Sequence, residues 1–334
     1  MDTADRAAER PWRAVLRSLW ARCLADRAGT THGDAGRRSE EWPRERTVML
    51  GLGLGFHETL SFVYRTAPTF EQLERWVLER NGGALDDDLL ARLDAALLGT
   101  SGNDEPPDAV LSAADLAFFA EHGYVIVREA VMRAQAAAAE DAIWEFIGAD
   151  RDDPATWYRG PQGHSIWVPL LRHPAFELNR RSPRIRGAFA QLWGRSDLWA
   201  TTDQGGFNPP QHAGWRFPGP NLHWDTGLVP PVPFGLQGIL YLVDVAPDQG
   251  AFTCVPGFHR RIDAWLAALP PGADPQKQDL DALGRAPVSA NAGDLVIWHH
   301  ALPHGSSPNR AARPRIVQYI TLRPGLGEEE PRWS

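Results

Sequence analysis

Cysteine is scarce in this chain: of 334 residues, only Cys23 and Cys254 carry a thiol. Two isolated thiols fit no zinc-binding spacing and no disulfide framework, which points to a reducing compartment. No apolar run approaches the roughly 20 residues that a membrane-spanning helix needs. The opening MDTADRAAERPW is charged and has no apolar centre of the kind a secretory signal carries. These absences together predict a cytoplasmic protein with no membrane partner. Basic clusters are missing as well. The formal net charge is -8, with no long run of Lys and Arg, so no nucleic-acid partner is expected. The stretch GLGLG at 51–55 lacks the third glycine of a dinucleotide fingerprint and sits in an apolar helical run. Helix packing against small residues is its expected use, not phosphate binding.

Ordinary proportions of hydrophobic (43%) and charged (23%) residues leave room for a sizeable core. The 14 tryptophans are unusual: they either fill a core or, several of them, line a substrate pocket. Along the chain, a helical segment runs from Trp12 to Leu24, followed by a polar linker, AGTTHGDAGRRSEEW. Helical patterning resumes from Thr47 to Leu98. Thr69 is placed to cap a helix whose apolar face holds Phe70, Leu73, Trp76, Val77 and Leu78, and Asn81-Gly82-Gly83 is placed to stop it. TSGNDEPPD at 100–108 reads as a second linker. Residues 1–105 are therefore expected to form a helical N-terminal appendage, which narrows the mouth of an active site or docks a partner.

Beyond residue 110 the texture changes. Ser112 can cap a helix through His122, GYVIVREAV reads as a strand, and a helix follows near 133–147. The segments DLWATTDQ, NLHWDT, LQGILYLVDV, AFTCVP, GDLVIWHH and RIVQYITL then read as strands punctuated by Gly, Pro and Asp. The predicted fold is a mainly β core with flanking helices (α+β), an antiparallel sandwich or barrel of the jelly-roll kind.

Within NLHWDT, His223 and Asp225 are two apart. On a strand they would share a face and offer an imidazole and a carboxylate side by side. A third, distant histidine would complete a two-histidine, one-carboxylate set, which favours Fe(II) with open positions. The downstream stretch GDLVIWHHALPHGSSPNRAARPRIVQYITL offers His299, His300 and His304, followed by Arg310, Arg313 and Arg315. With these pieces in place, the sequence resembles the phytanoyl-CoA dioxygenase (PhyH-like) family of Fe(II)/2-oxoglutarate-dependent oxygenases. The matching pieces are LHWD at 222–225, GAFTCVPGFH at 250–259, AGDLVIWH at 292–299, the run from His304 to Arg315, and the entry FFAEHGYVIVREAV at 118–131. The resemblance covers roughly 112–325 and makes residues 106–334 a dioxygenase domain with a double-stranded β-helix (cupin-like) fold.

The family places an arginine about eleven residues after the distal histidine, a spacing met by His304 with Arg315 and by His299 with Arg310. Arg315 opens an apolar strand and shares a face with Val317 and Tyr319, whereas Arg310 lies in the polar loop PNRAAR. The resemblance therefore implies His223, Asp225 and His304 as metal ligands. It implies Arg315 as the guanidinium that takes the far carboxylate of 2-oxoglutarate in a paired hydrogen bond. Ser306 matches a position whose hydroxyl helps hold that carboxylate. Where relatives often carry a cosubstrate-contacting tryptophan this chain has Ile239, and Gln237 on the same face is the replacement candidate. His299 and His300 are expected at a strand end and in a pocket wall, His259 in a turn, and His212 in a solvated loop. Phe207, Trp215, Trp224, Phe252 and Trp298 are aromatic candidates for the substrate pocket, with Arg216 and Gln204 as polar ones.

The implied activity is oxidation of a C–H bond of a small organic molecule, free or tethered to a carrier protein, with Fe(II), 2-oxoglutarate and O2, releasing succinate and CO2. The family includes halogenases in which a small residue replaces the carboxylate ligand. Asp225 implies hydroxylation or desaturation instead. The alternatives are a metal cupin enzyme that does not use 2-oxoglutarate and a jelly-roll binding module without catalysis. The Arg315 spacing stands against the first and the intact ligand set against the second.

Overall fold

The computed structural model describes residues 9–29, 35–100, 108–160 and 165–326. The chain divides into two compact units. One comprises Met1–Glu105 with Arg195–Thr202 and Arg323–Glu328; the other comprises Pro106–Gly194, Asp203–Leu322 and Glu329–Ser334.

The first unit holds five helices: α1 (Pro11–Arg27), α2 (Ala35–Gly51), α3 (Phe56–Thr66), α4 (Phe70–Arg80) and α5 (Asp87–Leu98). Their apolar faces bury Leu16, Leu19, Cys23, Met49, Leu52, Val63, Leu73 and Leu93, and Trp199 joins this core from mid-chain. Thr69 caps α4 as its sequence suggests: its hydroxyl accepts from the Gln72 amide at 3.3 Å while the Gln72 side chain accepts from Thr69 N at 2.8 Å. Asn81 ends the helix and donates to the Val77 and Leu52 carbonyls.

Three expectations need correction here. Leu78 is 38% exposed, because the buried stripe of α4 ends at Val77 and each further residue turns about 100° away from it. The polar stretch expected as a linker is helical from Ala35 onward. Further along, the same helix buries Glu45, Thr47 and Val48. GLGLG closes α2 at Gly51 and then forms the turn to α3, so most of it is not helical. Gly53 has φ +60°, Gly55 caps α3, and Leu52 and Leu54 are buried, which leaves no cradle for a phosphate. A Cβ on Gly51 would lie 2.7 Å from a Leu93 methyl, so close packing does operate at that one position. The linker expected at 100–108 falls almost wholly outside the described residues.

The second unit opens with α6 (Ala113–His122), capped reciprocally by Ser112 and Asp115. There follow β1 (Tyr124–Val127), α7 (Arg133–Ile147), β2 (Trp167–Val168), α8 (Pro174–Arg180) and α9 (Pro183–Trp193). After β3 (Leu198–Ala200) come β4 (Gly205–Asn208), β5 (Leu236–Tyr241), β6 (Phe252–Cys254) and α10 (Ile262–Ala267). The chain continues through β7 (Ala286–Val288), β8 (Leu295–His299), β9 (His304–Ser306), β10 (Arg315–Tyr319) and β11 (Leu322–Pro324). Six strands form an antiparallel sheet in the order β1-β8-β5-β10-β4-β2, and three form a second sheet in the order β7-β6-β9. β3 and β11 pair separately, and β3 and most of β11 belong to the first unit. The two larger sheets share one core: Ile239, Tyr241, Val296 and Val317 from the first meet Phe252, Cys254 and Val288 from the second. This is the double-stranded β-helix with flanking helices. Among the described residues, no helix is long and apolar enough to cross a membrane.

His299 ends β8, where burial, with the neighbouring His259 and His300, pushes its pKa down to about 3. Its Nδ1 accepts from Ala301 N at 3.0 Å, as a neutral ring does. The unfolded chain takes up a proton near pH 6.5 that the folded chain refuses, so stability falls as pH drops from about 6.5 toward 3. Urea unfolding at pH 7 and pH 5 checks this. Wild type is expected to lose more stability than His299→Gln, by on the order of 1 kcal/mol per pH unit.

Candidate active site

The site grows from β9. His304 is its first residue and pairs with Cys254 of β6. His304 Nδ1 lies 3.0 Å from the Leu302 carbonyl, and its side chain is 5% exposed. His223 is not in a regular strand, which corrects the reading of NLHWDT. It makes one isolated bridge, with His223 N donating to His304 O at 2.9 Å and His304 N donating to His223 O at 3.0 Å. The segment does not extend into a ladder because Trp224 anchors it sideways. The Trp224 indole donates to Ala301 O at 2.9 Å, and its backbone is held on both sides by the Gln276 amide. With Trp224 turned into the core, His223 and Asp225 emerge together on the opposite side. Strand-like alternation is reached without a strand.

His223 Nδ1 lies 2.8 Å from the Asn221 carbonyl. Both imidazoles thus have Nδ1 on a backbone carbonyl, which places the proton there and leaves the Nε2 lone pairs facing inward. Asp225 sits between them: Oδ1 is 3.2 Å from His223 Nε2, and Oδ2 is 3.2 Å from His304 Nε2. One ligand atom from each of the three residues lies within 4.8 Å of the others. Two lone pairs turned toward a carboxylate call for a positive charge among them. The ionisation behaviour agrees. His223 and His304 hold the Asp225 carboxyl far below the usual carboxylate range, with help from Gln237. Burial opposes a charged His223, yet its bonds to Asp225 and the Asn221 carbonyl prevail and raise its pKa. Two imidazoles and one carboxylate with room beside them are the donor set that suits Fe(II).

Beside the cluster lies a cavity of about 190 Å³, partly open to solvent. Its wall includes Trp167, Gln204, Phe252, Trp298, Ser306 and Tyr319. Arg315, the first residue of β10, is fully buried, and none of its three guanidinium nitrogens has a hydrogen-bond partner among the described residues. A buried, unpaired guanidinium costs several kcal/mol unless an anion joins it. Burial raises the pKa of Tyr319, four residues along the same strand face, and the Arg315 charge, together with a polar contact between the two side chains, pulls it back down. Tyr241 is pushed up to about 12 by burial, again opposed by Arg315.

Several candidate residues lie elsewhere. Phe207 is fully buried and packs edge-on against Trp144 at 5.0 Å, on the side of β4 that faces α7. Trp215 is bridged to His212 and packs on Tyr158. Trp224 packs on Phe258 and Trp265. Closeness in sequence to the cluster puts none of these three in the wall; Phe252, Trp298 and Gln204 are in it. Arg216 and His212 are exposed. His300 lies outside the wall, with Nε2 2.5 Å from the Pro233 carbonyl, which corrects its expected place. Arg310 is exposed, in a separate shallow pocket. Gln237 and Ile239 both line the cavity, and Gln237 Nε2 donates to Asp225 Oδ2 at 2.7 Å. The wall residues Trp167, Asp203, Tyr319 and Thr321 were missed as such. Alternation from Arg315 could have found Tyr319; Trp167 lies in a two-residue strand with no local motif to mark it.

The sequence profile of the phytanoyl-CoA dioxygenase (PhyH) family matches residues 119–317. A Dictyostelium discoideum protein, named provisionally as a phytanoyl-CoA dioxygenase, is 22% identical over 259 residues, which is 62% of this chain and 74% of that protein. Among solved structures, similarity extends to SnoN, a non-haem alpha-ketoglutarate-dependent epimerase from nogalamycin biosynthesis. It has a TM-score of 0.46 and 20% identity, covering 63% of this chain and 80% of that one. EctD from S. alaskensis is similar at a TM-score of 0.46 and 18% identity, with 66% and 80% covered.

Anaerobic titration with Fe(II) or Co(II) tests the cluster. His223→Ala, Asp225→Ala and His304→Ala are each expected to weaken metal binding by roughly a hundredfold or more, since an outer partner alone is worth 10- to 100-fold. His299→Ala is expected to bind as wild type does. The reverse ranking of His304 and His299 would contradict the assignment.

Proposed function

The chain belongs to the phytanoyl-CoA dioxygenase family and is a non-haem Fe(II)- and 2-oxoglutarate-dependent oxygenase, and on that premise we propose that it oxidises a C–H bond of a small, partly apolar molecule. In this reading His223, Asp225 and His304 hold the iron, and Arg315 holds the far carboxylate of 2-oxoglutarate. The observation that carries it is the buried guanidinium of Arg315, which has no hydrogen-bond partner among the described residues and stands on the same strand face as the cavity residue Tyr319. A metal enzyme that did not use 2-oxoglutarate would leave that charge uncompensated. A binding module without catalysis would have no use for two imidazoles turned toward a carboxylate.

Fe(II), with 2-oxoglutarate and O2, supplies the oxidising power for the C–H bond, and succinate and CO2 are released. The chain's own part is orientation. The Asn221 and Leu302 carbonyls fix the two imidazoles with Nε2 inward. Trp167, Phe252 and Trp298 offer apolar contact to substrate and limit water around the reacting carbon. Asp225 fills the third ligand place with an anionic oxygen, which a halide would have to displace. All wall residues lie between Trp167 and Thr321, so the chemistry belongs to the β-helix unit.

Succinate release against a substrate panel tests the activity. Arg315→Ala is expected to weaken 2-oxoglutarate binding by roughly 2–5 kcal/mol, the usual cost of removing one partner of a buried charge pair, with metal affinity unchanged. Unchanged 2-oxoglutarate binding in that variant, or an equal loss in Arg310→Ala, would sink the assignment.

The product chemistry is tested separately. In chloride buffer, mass spectrometry of the wild-type product is expected to show a hydroxylated or desaturated molecule, and a chlorinated product would overturn the role given to Asp225.

A further inference from the structure

Of the three clustered residues, Asp225 has the least support from the fold. His304 starts a strand, and His223 is tied to it by two backbone hydrogen bonds. Asp225 lies in a bend, its side chain is 51% exposed, and its backbone makes no hydrogen bond among the described residues. A carboxylate on such a segment is free to swing away from the histidines. Among the described residues, the one side chain that hydrogen-bonds it from a regular strand, apart from His304, is Gln237. That residue sits on β5, flanked by β8 and β10, where its backbone is paired opposite Trp298.

The chemistry of the amide sets its direction. Asp225 is an acceptor, so the contact at 2.7 Å must come from Nε2, and turning the amide over would set oxygen against oxygen. Gln237 Oε1 is then left buried without a partner. 2-Oxoglutarate as a dianion presents only acceptors and cannot satisfy that oxygen. Oε1 is thus unpartnered in either role, and what distinguishes them is that Nε2 is already committed to Asp225.

We propose that Gln237 is a positioning residue for the metal site: anchored on the sheet, it holds Asp225 Oδ2 and thereby fixes the loop-borne carboxylate facing His223 and His304. The proposal rests on the reading of those three residues as metal ligands. The bond occupies one carboxylate oxygen, leaving the other toward His223.

Anaerobic Co(II) titration, followed by the visible spectrum of the bound ion, tests this on the full-length protein. Five forms are compared: wild type, Gln237→Met, Gln237→Asn, Asp225→Ala and the Gln237→Met/Asp225→Ala double variant. Gln237→Met keeps the side-chain volume and loses the donor; Gln237→Asn keeps the amide but is too short to reach, and it serves if the Met variant does not fold. Either is expected to weaken Co(II) binding by about 10- to 100-fold and to alter the spectrum, as loss of an outer hydrogen bond to a ligand does. Affinity for 2-oxoglutarate at saturating metal should stay within about twofold of wild type. In the Asp225→Ala background, Gln237→Met should add nothing, because a residue acting through Asp225 has no effect once Asp225 is gone. Unchanged metal affinity with weakened 2-oxoglutarate binding would overturn the proposal in favour of a cosubstrate contact. An equal loss in the Asp225→Ala background would overturn it in favour of a general structural effect. Failure of wild type to bind Co(II), or wild-type binding by Asp225→Ala, would instead refute the ligand reading beneath it.

Discussion

The reciprocal backbone bridge between His223 and His304 is the contact on which the site depends. Two hydrogen bonds, 2.9 and 3.0 Å long, join an irregular segment to the edge of a three-stranded sheet. That bridge sets the two imidazole rings 4.8 Å apart. Each ring is then fixed by a carbonyl two residues before it in sequence, that of Asn221 or Leu302. The Trp224 indole, held by Ala301 O, turns the segment so that Asp225 follows His223 to the same side. No wider ladder is needed. One bridge, two carbonyls and one buried tryptophan do what a strand would do, and they leave the space beside the cluster open.

Charge is distributed around the cavity in a complementary way. A carboxylate and two inward lone pairs make one end attractive to a cation. At β10 a guanidinium with no partner among the described residues is attractive to an anion. In a low-dielectric interior both needs are expensive to leave unmet. A divalent metal and a dicarboxylate meet them together. Burial keeps the phenols of Tyr241 and Tyr319 protonated, so neither supplies a negative charge to Arg315. The guanidinium thus remains available to a ligand from outside the chain.

Much of this organisation can be read from residue patterns, and the exceptions have physical causes. Ser112 and Thr69 are visible as helix caps because a capping box is a local, four-residue arrangement. The strands of the β-helix are visible because β-branched and aromatic runs are bounded by Gly, Pro and Asp. The segment NLHWDT looks equally strand-like, but its fate is decided by Trp224 and Gln276, and a contact with a residue so far along the chain leaves no local signal. The same limit applies to the pocket wall. Trp298 and Phe252 lie in it, whereas Phe207 and Trp224 face packed interior, and composition cannot say which side of a strand or bend a ring takes. The polar opening of α2 resembles a linker because the apolar contacts that hold the helix lie further along it. Gln237 shows the remaining gap: its type and face were legible, but its bond to Asp225 depends on how a loop settles over β5.

The central claim is that His223, Asp225 and His304 hold iron next to a 2-oxoglutarate anchored by Arg315. Anaerobic crystals grown with Fe(II) and 2-oxoglutarate, with diffraction recorded on both sides of the iron absorption edge, test it most directly. The account predicts one anomalous peak within bonding distance of His223 Nε2, His304 Nε2 and an Asp225 oxygen, with 2-oxoglutarate density reaching the Arg315 guanidinium. An iron peak elsewhere, or 2-oxoglutarate bound away from Arg315, would contradict it.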